Sequence, residues 1–130
     1  MLKQSVTVLI ITTLPTFFVS SCTKTSNNQL ISDCNISNMS YSMNVVPILK
    51  YNCYTCHSVG NSVGSVGILL DSYQKLKPYT VFDSTKMASI LVGNIEHDSG
   101  FVAMPYMKQK LDACSINQIV AWVNQGAPDN

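Results

Sequence analysis

Cys53-Tyr54-Thr55-Cys56-His57 sets two thiols three residues apart, with an imidazole directly after the second. The spacing fits one helical turn, so both sulfurs reach the two vinyl groups of a single porphyrin. The next residue then lies under the ring's iron. The chemistry that follows is covalent attachment of one haem c through Cys53 and Cys56, with His57 as the proximal axial ligand. Two other uses of a Cys-x-x-Cys pair compete with it. A structural zinc site needs a second ligand pair, and Cys34 and Cys114 stand alone in the sequence. A thioredoxin-like redox motif belongs to a βαβ pattern, and none surrounds these residues.

An iron held by His57 needs a second axial ligand to be six-coordinate, and a thioether is a common partner. Gly100-Phe101-Val102-Ala103-Met104-Pro105 offers one. Met104 reads as a loop residue far along the chain from His57, and Pro105 biases it towards an extended backbone. Met107, in the same loop, and His97, which would give bis-histidine ligation, are the alternatives. Met87 reads as a core residue on a helical face, and Met39 and Met43 precede the first helix.

These groups need elements to position them, and the apolar periodicity supplies helices. Residues 40–51 read as a first helix capped by Ser42, with Val45, Val46, Ile48 and Leu49 as its stripe and Pro47 confined to the first turn. This helix delivers Cys53 and Cys56 to the porphyrin. Residues 61–67 form a Gly/Ser loop expected to wrap one haem edge, and 68–76 a brief helix or extended piece. A further helix is expected over 84–95, capped by Ser84, with Met87, Ile90 and Leu91 on one face. The last spans 115–125: Ser115 caps it, Ile116, Ile119, Val120 and Val123 recur at helical spacing, and Gly126 and Pro128 stop it. Trp122 is expected in the core.

The residues before Cys22 read as an export signal. Lys3 precedes a broken apolar run, and Val19-Ser20-Ser21-Cys22 is similar to a bacterial lipobox. Residues 1–21 are thus expected to be removed and Cys22 lipidated; cleavage of an ordinary secretory signal at Ser21 is the alternative. Residues 22–33 are polar and read as a tether, reaching about 18 Å from a lipid surface on average. Five cysteines in an exported chain leave one odd thiol. With Cys22 on lipid and Cys53 and Cys56 on haem, Cys34 and Cys114 remain, and an oxidising compartment would join them. That bridge closes a loop of about 80 residues, about 4–5 kcal/mol by the chain-entropy relation. Two separate buried thiols are the alternative. Eight lysines oppose seven acids, with no arginine, and loss of Lys3 would leave the balance even. No basic stripe suggests a nucleic-acid partner. Lys108 and Lys110 are the only basic pair near Met104, and read as solvated charges more readily than as a docking patch.

In these motifs the chain resembles the class I cytochrome c family, and within it the short lipoprotein cytochromes of Bacteroidetes-type bacteria. The resemblance covers residues 34–130. It rests on Val46-Pro47-Ile48-Leu49 ahead of the Cys53–His57 stretch, on His97-Asp98-Ser99-Gly100 leading into Met104-Pro105, and on Ala121-Trp122-Val123 with Gly126-Ala127-Pro128. One departure is that Tyr106 and Met107 follow the Met-Pro pair, where small residues are common in the family. The resemblance implies an all-α, cytochrome c-like fold wrapped round one haem. It implies thioethers at Cys53 and Cys56, and His57 and Met104 as axial ligands. The expected activity is one-electron transfer between a redox donor and acceptor at the periplasm-facing cell envelope, with the membrane reached through the lipid anchor. No acid, base or nucleophile cluster marks an enzyme. A five-coordinate haem sensor or peroxidase-like protein, and a fixed haem subunit of a larger membrane oxidoreductase, are the alternatives.

Overall fold

A computed structural model describes residues 34–61 and 66–130. The export signal, Cys22 and the tether over 22–33 lie outside the described residues. The first described element is a π-helical turn, Tyr41–Val45, that runs directly into helix α1, Val46–Asn52. Pro47 sits in the first turn of α1, where its missing N–H leaves no intrahelical bond unmade. The N-terminal cap is Ser40, whose hydroxyl accepts from the Met43 N–H. Ser42, the expected cap, is engaged elsewhere: its N–H and its hydroxyl both bond the Asn130 carbonyl, at 2.9 Å each. A single turn, α2 (Tyr54–His57), follows. Then come α3 (Tyr73–Leu76) and a 3₁₀ turn, Lys77–Thr80.

The expected all-α, cytochrome c-like fold needs correction. Strand β1 (Phe82–Asp83) pairs antiparallel with β2 (Ala88–Ser89), Phe82 opposite Ser89 and Asp83 opposite Ala88, so the fold is helical with a small two-stranded sheet. The physical cause lies in Asp83. Its Oδ1 accepts the Thr85 N–H at 2.9 Å and the Thr85 hydroxyl at 2.6 Å, while its carbonyl takes the Lys86 N–H at 3.2 Å. Such side-chain turns compete with helix formation. Helix α4 is therefore only Ile90–Glu96, capped by Ser89 rather than Ser84. Met87, expected on a buried helical face, stands in the turn at φ 60° and is 75% exposed.

Helix α5, Ala113–Asn124, starts two residues earlier than expected because Asp112 caps it. Its inner face buries Ile116, Ile119 and Trp122 against the Tyr41–Val45 turn and α4. Trp122 is fully buried, donates its indole N–H to the Pro128 carbonyl at 3.0 Å and stacks on Tyr41 with centroids 5.7 Å apart. Leu49, Leu76, Leu91 and Ile95 belong to the same core, with Met39, Val45, Leu70 and Leu111 among others. Each such side chain contributes about 1.5–3 kcal/mol on burial. Cys34 and Cys114 are joined as a disulfide, tying the start of the described chain to the first turn of α5. Among the described residues no helix is long and apolar enough to cross a membrane.

Candidate functional site

Helix α1 ends by handing its last bonds to the cysteine turn. The Cys53 N–H donates to the Leu49 carbonyl at 2.8 Å, and the Cys53 carbonyl accepts the N–H groups of Cys56 (3.0 Å) and His57 (2.9 Å). Both thiols and the imidazole are thereby carried on one tight turn. Three bonds then staple this turn to the segment after the Gly/Ser loop. His57 Nδ1 lies 2.9 Å from the Ile68 carbonyl, the Leu70 N–H donates to the His57 carbonyl at 2.8 Å, and the Val59 N–H donates to Asp71 Oδ2 at 2.7 Å. A carbonyl can only accept, so Nδ1 carries a proton, which in the neutral ring leaves the lone pair on Nε2. A metal-ligating histidine is oriented by this same arrangement. Asp71 is itself fixed: the Lys75 ammonium at 2.8 Å, and then the Val59 N–H, hold its carboxyl below the usual carboxylate range.

Burial pushes the Cys53 thiol up to about 11, with the neighbouring Cys56 adding to the effect. A redox-active Cys-x-x-Cys works through a thiolate with a depressed pKa. Cys53 is shifted the opposite way, which speaks against the thioredoxin-like use. Neither Cys53 nor Cys56 takes part in a disulfide.

The Met104 segment hangs from the end of α4. Gly93 and Asn94 carbonyls accept the His97 N–H, with His97 in the left-handed region at φ 55°, and the chain turns back through Gly100. The Met104 N–H then donates to the Asn94 carbonyl at 2.9 Å. Met104 lines the same cavity as Cys53, Cys56 and His57, a space of about 740 Å³. Ile68, Val66, Val102, Pro105 and Tyr106 give it an apolar wall, and among the described residues Lys108 is the one charged group lining it. Small-molecule and cofactor sites span about 300–1,000 Å³ and are mostly apolar. Several of these apolar groups face outward, Val66 at 96% exposure among them. An exposed apolar face of this kind marks an interaction surface, for a protein, a membrane or a ligand.

The two rival ligands stand elsewhere. Met107 is 88% exposed at φ 54° and does not line the cavity. His97 is turned onto the protein, its Nε2 3.0 Å from the Met104 carbonyl. Among the described residues no three His, Cys, Asp or Glu side chains gather into a metal-holding group, so a second ligand pair for zinc is lacking too. A haem fits the residues present: two thiols, a histidine with a free Nε2 and a thioether share one apolar cavity. Cys22 lies outside the described residues.

Sequence reading missed three residues that build this site. Ile68 acts through its backbone carbonyl, which leaves no mark in the sequence. Asp71 and Asn94 left a weak one, each a short polar side chain set into an apolar run. No protein-family model, curated protein or solved structure matches the chain.

Proposed function

We propose that this chain is a mono-haem c-type cytochrome that passes single electrons between a redox donor and an acceptor at the cell envelope. Cys53 and Cys56 would hold the porphyrin as thioethers, and His57 Nε2 and the Met104 sulfur would ligate its iron. A haem so bound supplies an iron that changes oxidation state by one electron, at a potential raised by thioether ligation and burial. The chain's own part is to aim and to exclude. The Ile68 carbonyl fixes the imidazole tautomer, and Val102, Pro105 and Ile68 would offer the porphyrin an apolar wall. The observation that carries this reading is the meeting of Cys53, Cys56, His57 and Met104 in one cavity. Lipid at Cys22, followed by the polar stretch 22–33, would hold the domain close to a periplasm-facing membrane surface.

The test is the absorption spectrum of the exported protein, oxidised and reduced, from a host that matures c-type cytochromes. Sharp low-spin reduced bands, with the weak far-red ferric band of a sulfur–iron bond, are expected. A high-spin ferric spectrum with ready cyanide binding would point instead to the five-coordinate sensor or peroxidase. A protein that stays colourless would sink the haem reading altogether.

A further inference from the structure

Both peptide groups of Met104 are held by one helix end. Its N–H donates to the Asn94 carbonyl at 2.9 Å, and its own carbonyl lies 3.0 Å from His97 Nε2. Two residues earlier, the Val102 N–H donates to Asn94 Oδ1 at 3.2 Å. Because the Met104 carbonyl can only accept, His97 Nε2 carries the proton and offers no lone pair to a metal. The ring's place is set by the helix itself, since His97 caps α4 through its own N–H. Little else holds the loop, for Val102, Ala103, Tyr106 and Met107 are all exposed. Exposed segments with few buried contacts open readily. A methionine side chain is also flexible, so its sulfur stays in place only as well as its backbone does.

We propose that Asn94 and His97 act together as positioning residues for the Met104 sulfur, a clamp at the end of α4 that keeps the thioether at the iron. This rests on the reading above, in which Met104 is an axial ligand. His97 thus belongs to the ligand's support and not to the ligand set. The clamp makes a specific demand: a hydrogen-bond donor at the height of Nε2, and an acceptor at the height of Asn94 Oδ1.

The experiment uses the ferric holoprotein and the variants His97→Ala, His97→Gln and Asn94→Ala. It reads the far-red sulfur–iron band, amide exchange at Val102 and Met104, and covalently retained haem on a denaturing gel. Both alanine variants are expected to lose most of the band while keeping the haem, which depends on Cys53 and Cys56. In Asn94→Ala the Val102 N–H loses its side-chain acceptor and should exchange about tenfold faster; the Met104 N–H keeps the Asn94 backbone carbonyl in both variants and should exchange faster only through opening of the loop. His97→Gln, whose amide nitrogen reaches the same carbonyl, should restore band and protection. An unchanged band and unchanged exchange in both alanine variants would overturn the clamp while leaving Met104 ligation intact. A high-spin iron in His97→Ala that glutamine fails to rescue would overturn it too, by making His97 a ligand. A wild-type holoprotein with no far-red band would overturn the Met104 reading, and the clamp with it.

Discussion

Two methionines three residues apart in one loop have opposite surroundings, and that separates their roles. Met104 has both peptide groups bonded and its side chain at the cavity, whereas Met107 points to solvent at a strained positive φ. Met107→Ala is therefore expected to leave the ferric and ferrous spectra as they are. Its stability should stay within about 0.5 kcal/mol of the parent, as for other surface changes. On the proposed ligation, Met104→Ala should abolish the far-red band, lower the potential and let carbon monoxide bind the reduced protein. Spectra and potentiometry of the two variants side by side check this, and the reverse pattern would transfer the ligand to Met107. Gly93 belongs to the same scale. A Cβ built there would stand 2.5 Å from the Phe101 ring, including Cγ at the ring's root. Overpacking of that kind costs about 1–3 kcal/mol, and the gain in helix propensity returns at most about 1. Gly93→Ala should thus destabilise by about 1 kcal/mol in denaturant titration; a stabilised variant would mean that Phe101 moves away freely.

At the scale of elements, the caps decide where helices begin. Asp112 accepts the Ser115 N–H at 2.9 Å and the Ser115 hydroxyl at 2.6 Å, and these bonds, the hydroxyl's first, hold its carboxyl below the usual carboxylate range. A carboxyl depressed in the folded state stabilises fully above its unfolded pKa, about 3.9, and loses that contribution as pH falls through its lower folded value. Asp112→Ala should cost about 1 kcal/mol at neutral pH. The gap to the parent should narrow as pH drops through the carboxylate range, which urea titrations at neutral and acid pH would show. A gap independent of pH would mean that the charge plays no part. The same capping competition explains what the sequence could convey. The Ile116 and Ile119 stripe made α5 legible because its period is global, but Ser115 and Asp112 are both good caps, and only the hydroxyl's bond back to Asp112 ranks them. The spacing of Cys53, Cys56 and His57 pointed to one turn, and α2 is one turn. Residues 84–89 misled for the opposite reason. Met87 continued an apolar period towards Ile90 and Leu91, yet Asp83 and Thr85 had a local turn to offer that periodicity does not register. The Ile68 carbonyl on His57 is a backbone contact across eleven residues, invisible in side-chain chemistry.

At the scale of the molecule, two of the long-range ties among the described residues close the chain around the cavity. One is the Cys34–Cys114 disulfide, separated by 80 residues; the other joins Asn130 to Ser40, Tyr41 and Ser42. The cavity's three walls, around 51–57, 66–68 and 94–108, all lie inside the loop that the disulfide closes. The bond therefore restricts the unfolded positions of every wall at once, yet none of the contacts that shape the cavity passes through it. His57 to Ile68 and Asn94 to Met104 are local bonds that survive its removal. Stability and site geometry should thus separate in the double substitution Cys34→Ser with Cys114→Ser. The chain-entropy relation assigns about 4–5 kcal/mol to a loop of this length, and native disulfides in small domains typically give 2–5 on removal. That is a large part of the 5–15 kcal/mol that holds a typical domain. The expected outcome is a denaturant midpoint far below the parent's, with haem spectra of the folded protein unchanged at low temperature. A loss under about 1 kcal/mol would show that the unfolded chain already keeps these ends close. Altered spectra in the folded variant would instead mean that α5 and its tie to residue 34 shape the cavity directly.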